Sequence, residues 1–376
     1  MERRNVGAEE AGAVGAEGGE RPPRACHISQ KFSSIADVES AVAAVPVTPL
    51  GDEAGALRVS PGSVGIAVRS VGRSGHPPSP RGLVVDWSRK SRSNMLRRFA
   101  SLDYSPWLDH LEHGWSIVLV TLTYPSAWRD LVPTSTQAVR HLQMFRARLE
   151  RACGCTIYAI WKREFQRRGA PHYHLLLPLP PAIADEPIRP FISRIWYEVV
   201  DSGDRTHLLA GTGLDWAEGL RAIDPARVAR YFAGHASPSG MGRKEYQNSP
   251  PVEWAQSGAV GRFWGYWGLC PAEASAPLSF DELVEVRRVL RHVDRSRRRM
   301  RVVRVQRVDQ RTGRIYTRRV RRRAVLPHLA SCGLTGATLF VPDGPAFTKV
   351  LAACIRQGRS RQMSATQPMK RKGNTL

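Results

Sequence analysis

Residues 161–174 read Trp-Lys-Arg-Glu-Phe-Gln-Arg-Arg-Gly-Ala-Pro-His-Tyr-His. His172 and His174 are two residues apart, so on a β-strand both imidazoles point to one face, and Glu164 and Gln166 share a face of the strand before it. Arg168-Gly169-Ala170 supplies a tight connection in which Gly169 takes a positive φ. Pairing centred on Gly169 sets Glu164 opposite His174 and Gln166 opposite His172, so that two imidazoles and a carboxylate converge. The expected metal ligands are Glu164, His172 and His174, with Gln166 as an outer or substitute ligand. A His-His-carboxylate set with open positions suits Mg²⁺ or Mn²⁺ acting on a phosphate. A His-x-His pair alone is more often structural, and it is Glu164 on the same face, the glycine turn and the apolar Leu175–Leu177 exit that favour metal. A cupin-type site would need a Glu soon after the second His, where this chain has Leu175-Leu176-Leu177-Pro178.

Around this hairpin the sequence sets out strands and helices. Val118–Tyr124 reads as a buried strand. Thr134-Ser135-Thr136-Gln137 resembles a capping box opening a helix with Val139, Leu142, Phe145 and Leu149 along its inner side. Arg189–Val200 carries Phe191, Ile195, Trp196 and Val199 at helical spacing, and Arg89–Ser101 reads as a basic helix. Asp224–Gly234 reads as a short helix with Asp224 as N-cap, Pro225 at its first position, Gly234 as terminator and Tyr231 on the last turn. Phe263–Gly268 interleaves aromatic rings with glycine, a pattern more often sheet core than base-stacking surface. The expected class is α+β, a central antiparallel sheet with flanking helices.

The hairpin and the order of these motifs resemble the HUH endonucleases, and among them the rolling-circle replication initiators of plasmids and phages. In that family a His-hydrophobic-His strand is joined by a Glu eight residues earlier, as Glu164 stands to His172, and Val118–Tyr124 looks like the family's first motif. Trp87–Ser93 and Gly261–Gly265 look like its phage and plasmid members; the resemblance spans roughly residues 85 to 270. It implies an RRM-like palm, metal at Glu164, His172 and His174, and Tyr231 as the catalytic nucleophile that leaves a 5′-phosphotyrosyl enzyme and a free 3′-hydroxyl. It also implies single-stranded and duplex origin DNA as partners, with a host helicase. The chain departs from the two-tyrosine pattern of phage-type members: four residues after Tyr231 stands His235, and Gly234 and Pro238 stand where lysines are expected. The alternatives are a noncatalytic DNA-binding relative and a single-tyrosine transposase. A conjugative relaxase would place its tyrosine ahead of the histidines.

Composition agrees with a DNA partner. The 376 residues carry a formal net charge of +23, and residues 287–323 alone hold 17 Arg against 2 Asp. Such a segment is an electrostatic footprint for phosphate backbone. Within it, Arg mixes with Val on both sides of the turn-like Asp309–Gly313, which predicts a basic β-hairpin. The expected organisation is a disordered leader over residues 1–80 and a catalytic domain over 81–270. An Arg-rich DNA-binding segment over 271–326 and a small strand-helix unit with a mobile tail over 327–376 follow. No apolar h-region follows Met1-Glu2-Arg3-Arg4 and no run reaches membrane-span length, so a cytoplasmic protein with reduced cysteines is expected.

Overall fold

The computed structural model describes residues 33–46, 53–68, 87–216, 245–257, 260–297, 300–323 and 338–366. In chain order these form α1 (Ile35–Ala43), β1 (Gly55–Ser60), β2 (Ser63–Val68), α2 (Arg89–Ala100), α3 (Ser105–Glu112), β3 (Ser116–Thr123), α4 (Trp128–Leu131), α5 (Ser135–Cys153), β4 (Ala159–Phe165) and β5 (Pro171–Leu179). There follow the two-residue strands β6 (Ala182–Ile183) and β7 (Glu186–Pro187), then α6 (Ile188–Val200), α7 (Arg205–Ala210), β8 (Thr212–Asp215), α8 (Val252–Gln256), β9 (Trp264–Trp267) and β10 (Ala274–Leu278). The chain continues with α9 (Phe280–Arg297), β11 (Met300–Val308), β12 (Ile315–Arg323), β13 (Thr338–Phe340) and α10 (Gly344–Thr366). No helix among the described residues is long and apolar enough to cross a membrane.

The α+β class holds. A five-stranded sheet in the order β8-β3-β5-β4-β9 is antiparallel throughout, so β5, the strand with both histidines, lies at its centre. Period-2 alternation divides its residues between two cores. Val118, Val120, Leu122, Trp161, Phe165, Tyr173, Leu175 and Leu177 pack under α5 and α6. Ile117, Leu119, Ile160 and Leu176 face the other way, under Met95, Leu96 and Phe99 of α2 and Trp107 of α3. Both sides are covered along the middle of the strands, which is why Leu175–Leu177 is apolar without alternation.

α5 begins where the sequence predicts, with the Thr134 side chain accepting from Gln137 N–H. The reciprocal half of the capping box is absent, because the Gln137 amide bonds His141 Nε2 at 2.9 Å instead. α6 buries Phe191, Ile195, Trp196 and Val199 as its spacing predicts. At the sheet edge β9 crosses β4 with Gly265 opposite Trp161, where a Cβ would come within 2.6 Å of the indole, so only glycine fits.

Residues 33–46 and 53–68 depart from the disordered leader expected of 1–80. They form α1, β1 and β2, and β1 and β2 join β10 and β13 in a second antiparallel sheet, order β10-β1-β2-β13. Val38, Leu57, Val59, Val64 and Ile66 share a core there with Leu283, Val286 and Leu290 of α9 and Leu351 and Ile355 of α10. Each local apolar run is short, and the partners that complete its core lie more than two hundred residues away, so no local pattern announces the unit. It is stitched to the first sheet by backbone bonds from Gly62 N–H to Ala100 O (2.8 Å) and Ala272 N–H to Ser101 O (2.7 Å). α10 runs to Thr366, well into the tail expected to be mobile. The basic segment divides into α9 and the β11–β12 hairpin, whose strands pair only with each other.

Candidate metal centre

The hairpin that carries the candidate ligands closes one step earlier than its glycine suggests. Gly169, at φ +81°, donates its N–H to Gln166 O (2.8 Å), and Gln166 N–H bonds Ala170 O (2.9 Å). The loop is therefore Arg167-Arg168-Gly169, a three-residue turn with its last residue left-handed. Pairing then sets Glu164 opposite His172 and Lys162 opposite His174. This corrects the expected register by two residues. Because side chains alternate with period two, a slip of two keeps Glu164 on the histidines' face. Gln166 does not take the ligand role foreseen for it: its side chain is exposed in the turn and accepts from Arg168 Nε at 2.8 Å. Arg168 also donates to the carbonyls of Tyr124 and of Pro125 (2.6 Å), fastening the turn to the loop after β3.

Glu164, His172 and His174 are thus brought onto one sheet face, at the end of β4 and β5 beyond the apolar contacts of α2. The two imidazole rings lie 4.5 Å apart, centre to centre, and at 85° to each other. Glu164 is fully buried, with Oε2 at 3.6 Å from His174 Nε2 and no hydrogen-bond partner of its own. His174 Nδ1 is held by Thr121 Oγ1 at 3.2 Å, from the neighbouring β3. A side-chain oxygen on the far nitrogen fixes the ring's orientation and its tautomer, the usual support of a metal-binding histidine.

Lys162 is the participant not singled out from the sequence. Its side chain is wholly buried, and its ammonium bonds Glu164 Oε1 and sits 5.3 Å from the centre of the Trp87 ring. Burial alone would raise the Glu164 carboxyl, but His174 and Lys162 outweigh it and hold the group at about 2. Burial lowers Lys162, against the attraction of Glu164 and with the repulsion of buried Arg92 on α2. A period-2 reading of the strand could have found Lys162, since it stands two residues before Glu164 on the same face. Arg92, Trp87 and Thr121 come from other elements, and no spacing in the sequence links them to the hairpin.

Two nitrogens and one carboxylate oxygen are the donor types that Mg²⁺ or Mn²⁺ chemistry on a phosphate uses, and Glu164 Oε2 is the donor not already engaged. The set is not closed. Among the described residues no three His, Cys, Asp or Glu side chains stand as a finished metal group, and Lys162 holds the other carboxylate oxygen. Tyr231, with the whole predicted helix Asp224–Gly234 and with His235, lies outside the described residues.

A central antiparallel sheet presenting His-x-His from its middle strand, with a glutamate beside it on the next strand, defines the rolling-circle replication-initiator class. Within it, residues 117–236 match the family described as Replication-associated protein, a span that opens on β3, takes in both hairpin strands and runs past Tyr231. The chain is 26% identical over 223 residues to the Replication-associated protein of Pseudomonas phage Pf3, covering 57% of this chain and 70% of that protein. It is 30% identical over 201 residues to a protein of Xylella fastidiosa (strain 9a5c) described as a replication protein, covering 53% of this chain and 62% of that one. No solved structure matches the chain.

Proposed function

We propose that this protein initiates rolling-circle replication by nicking and rejoining DNA, with Tyr231 as nucleophile and with Glu164, His172 and His174 holding Mg²⁺ or Mn²⁺. The observation that carries the reading is the convergence on one sheet face of both imidazoles and a buried carboxylate oxygen that has no hydrogen-bond partner. The names of the relatives support the replication role.

In the proposed reaction the Tyr231 oxygen attacks the scissile phosphorus. A P–O bond to tyrosine forms and the bond to the 3′ oxygen breaks. The phenol gives up its proton and the departing 3′ oxygen takes one, so the exchange is proton-neutral and its reverse rejoins the strand. The bound cation would neutralise charge on the phosphate oxygens, which matters because an unperturbed phenol, with a pKa near 10, is a weak nucleophile. Thr121 holds His174 in place, and the Lys162 ammonium adds fixed positive charge beside the carboxylate. One tyrosine suffices for nicking and rejoining; the lack of a second at position 235 speaks against a two-tyrosine handover. DNA is the proposed partner, with a host helicase to open the duplex.

The test incubates the purified full chain with Mn²⁺ or Mg²⁺ and pooled single-stranded oligonucleotides from its own replicon, followed by denaturing electrophoresis. A protein–DNA adduct that disappears in Tyr231→Phe and in His172→Ala is the expected result. An adduct that persists in Tyr231→Phe moves the nucleophile elsewhere. Tight binding to the origin without any adduct makes the protein a noncatalytic DNA-binding relative.

A further inference from the structure

The β11–β12 hairpin is a free-standing ribbon. Its strands pair over Val302↔Arg321 to Val308↔Ile315 and have no third strand on either edge. Two-stranded hairpins are marginal on their own in water, and apolar side chains that would normally be covered are left open here: Val302 (63% exposed), Val308 (59%) and Ile315 (69%).

Its arginines are spread over both faces. Arg304 and Arg319 share one face and Arg307 and Arg318 the other, all four exposed, with Arg311 and Arg314 exposed at the tip. Arg304 stands directly opposite Arg319, a like-charge pair that weakens the hairpin. The tip is well built: Asp309 accepts from Arg311 N–H (2.8 Å) and Thr312 N–H (3.2 Å), and Gly313 turns the chain at φ +68°. The root continues into α9, whose Arg288, Arg291 and Arg295 are exposed along one side. The ribbon's fold is specified, then, while its charges work against its own stability.

We infer that this ribbon enters the major groove of duplex DNA, and so serves as the duplex-binding element of the chain. A flat anionic surface, such as a membrane or an acidic protein, would meet only one of the two charged faces. A groove lined by phosphates on both walls meets both. The B-form major groove, about 12 Å wide, admits a two-stranded ribbon; the B-form minor groove and the deep, narrow major groove of duplex RNA do not. Single strands are held chiefly by stacking on aromatic rings, and Tyr316 is the sole aromatic residue between residues 300 and 323. The inference takes from the proposed function only that DNA is the partner; it needs neither the metal nor Tyr231.

The experiment measures fluorescence anisotropy of the full chain in EDTA, so that no cleavage intervenes. The probes are a mixed-sequence duplex of about three helical turns and its isolated strand, at several KCl concentrations. The comparison is with the combined variant Arg304→Gln, Arg307→Gln, Arg318→Gln and Arg319→Gln. All four positions are exposed, so folding is not at risk. The slope of log affinity against log salt on duplex should fall by about 3 to 4 in the variant, with single-strand binding unchanged. Methyl green, which occupies the major groove, should displace the wild-type protein, and netropsin, which occupies the minor groove, should not. Equal losses on duplex and single strand, an unchanged duplex slope, or displacement by netropsin alone would each overturn the inference. Because no cleavage is read, a chain that nicks DNA while its ribbon variant binds duplex normally sinks this inference alone. A chain that loses duplex binding with the ribbon but never forms an adduct sinks the nicking proposal alone.

Discussion

Lys162 and Arg163 are consecutive residues of one strand, both wholly buried, and they illustrate two different uses of a buried cation. Arg163 points towards α5. It donates to Ser135 Oγ (2.8 Å) and to the Val260 carbonyl, and its guanidinium lies 5.4 Å from the ring centres of Trp254 and Phe263. Its donors are spent on neutral acceptors and ring faces that tie the 260–263 segment to the sheet. Lys162 points to the opposite face, where its ammonium meets a carboxylate. An always-charged planar fork suits the first task, and a compact ammonium with one counter-charge suits the second. The contrast separates a cation that holds the fold from one that belongs to the site.

Replacing each in turn tests that division. Arg163→Ala should cost the most, about 3 to 5 kcal/mol of stability. It leaves a cavity among aromatic rings and strips Ser135 and Val260 of a partner. Urea unfolding should show the loss equally with and without Mn²⁺, and a loss that Mn²⁺ reverses would place Arg163 in the site. Lys162→Met should cost about 3 kcal/mol in EDTA, since it leaves the Glu164 carboxylate buried without its ammonium. Here a divalent cation can replace the missing charge. At about a hundred times its dissociation constant, Mn²⁺ should return close to 3 kcal/mol, a larger gain than it gives the wild type. If Mn²⁺ stabilises both proteins alike, Lys162 and the metal do not share the carboxylate.

The Glu164 carboxyl supplies a third test through pH. It is held at about 2 in the fold against an ordinary 4.5, so its contribution is fully present above pH 4.5 and is lost as pH falls from there towards 2. A shift of that size in a fully buried group corresponds to about 3 kcal/mol. Urea midpoints of the wild type should therefore fall between pH 5 and 3 more steeply than those of Glu164→Gln. Parallel curves would mean that the buried pair contributes nothing to acid sensitivity.

The same comparison shows what the sequence could and could not disclose. The hairpin, its shared face and the two long helices were legible because each is a local pattern: period two around Gly169, helical spacing from Val139 to Leu149 and from Phe191 to Val199. The register was not, since a glycine marks a turn without saying whether the left-handed residue closes it or centres it. Lys162 was hidden among the basic residues beside it, as alternation alone does not distinguish a buried lysine from a solvated one. The second sheet escaped notice because its core joins α1, β1 and β2 to residues near both ends of the other half of the chain, and no window of sequence contains it.

The smallest effect concerns Thr121, the one contact to the histidines from β3 that rests on a single hydroxyl. Thr121→Val keeps the β-branched shape and removes the 3.2 Å bond to His174 Nδ1. Stability should change by only about 1 kcal/mol, far less than for either buried cation. Binding of Mn²⁺, read by titration calorimetry, should weaken about tenfold or more, because the ring would no longer be held in one tautomer and orientation. That split between a small cost in folding and a large one in metal affinity is what a positioning role predicts. Equal small effects on both would return Thr121 to the sheet, and would leave Glu164 and the histidine pair to arrange the site without help from β3.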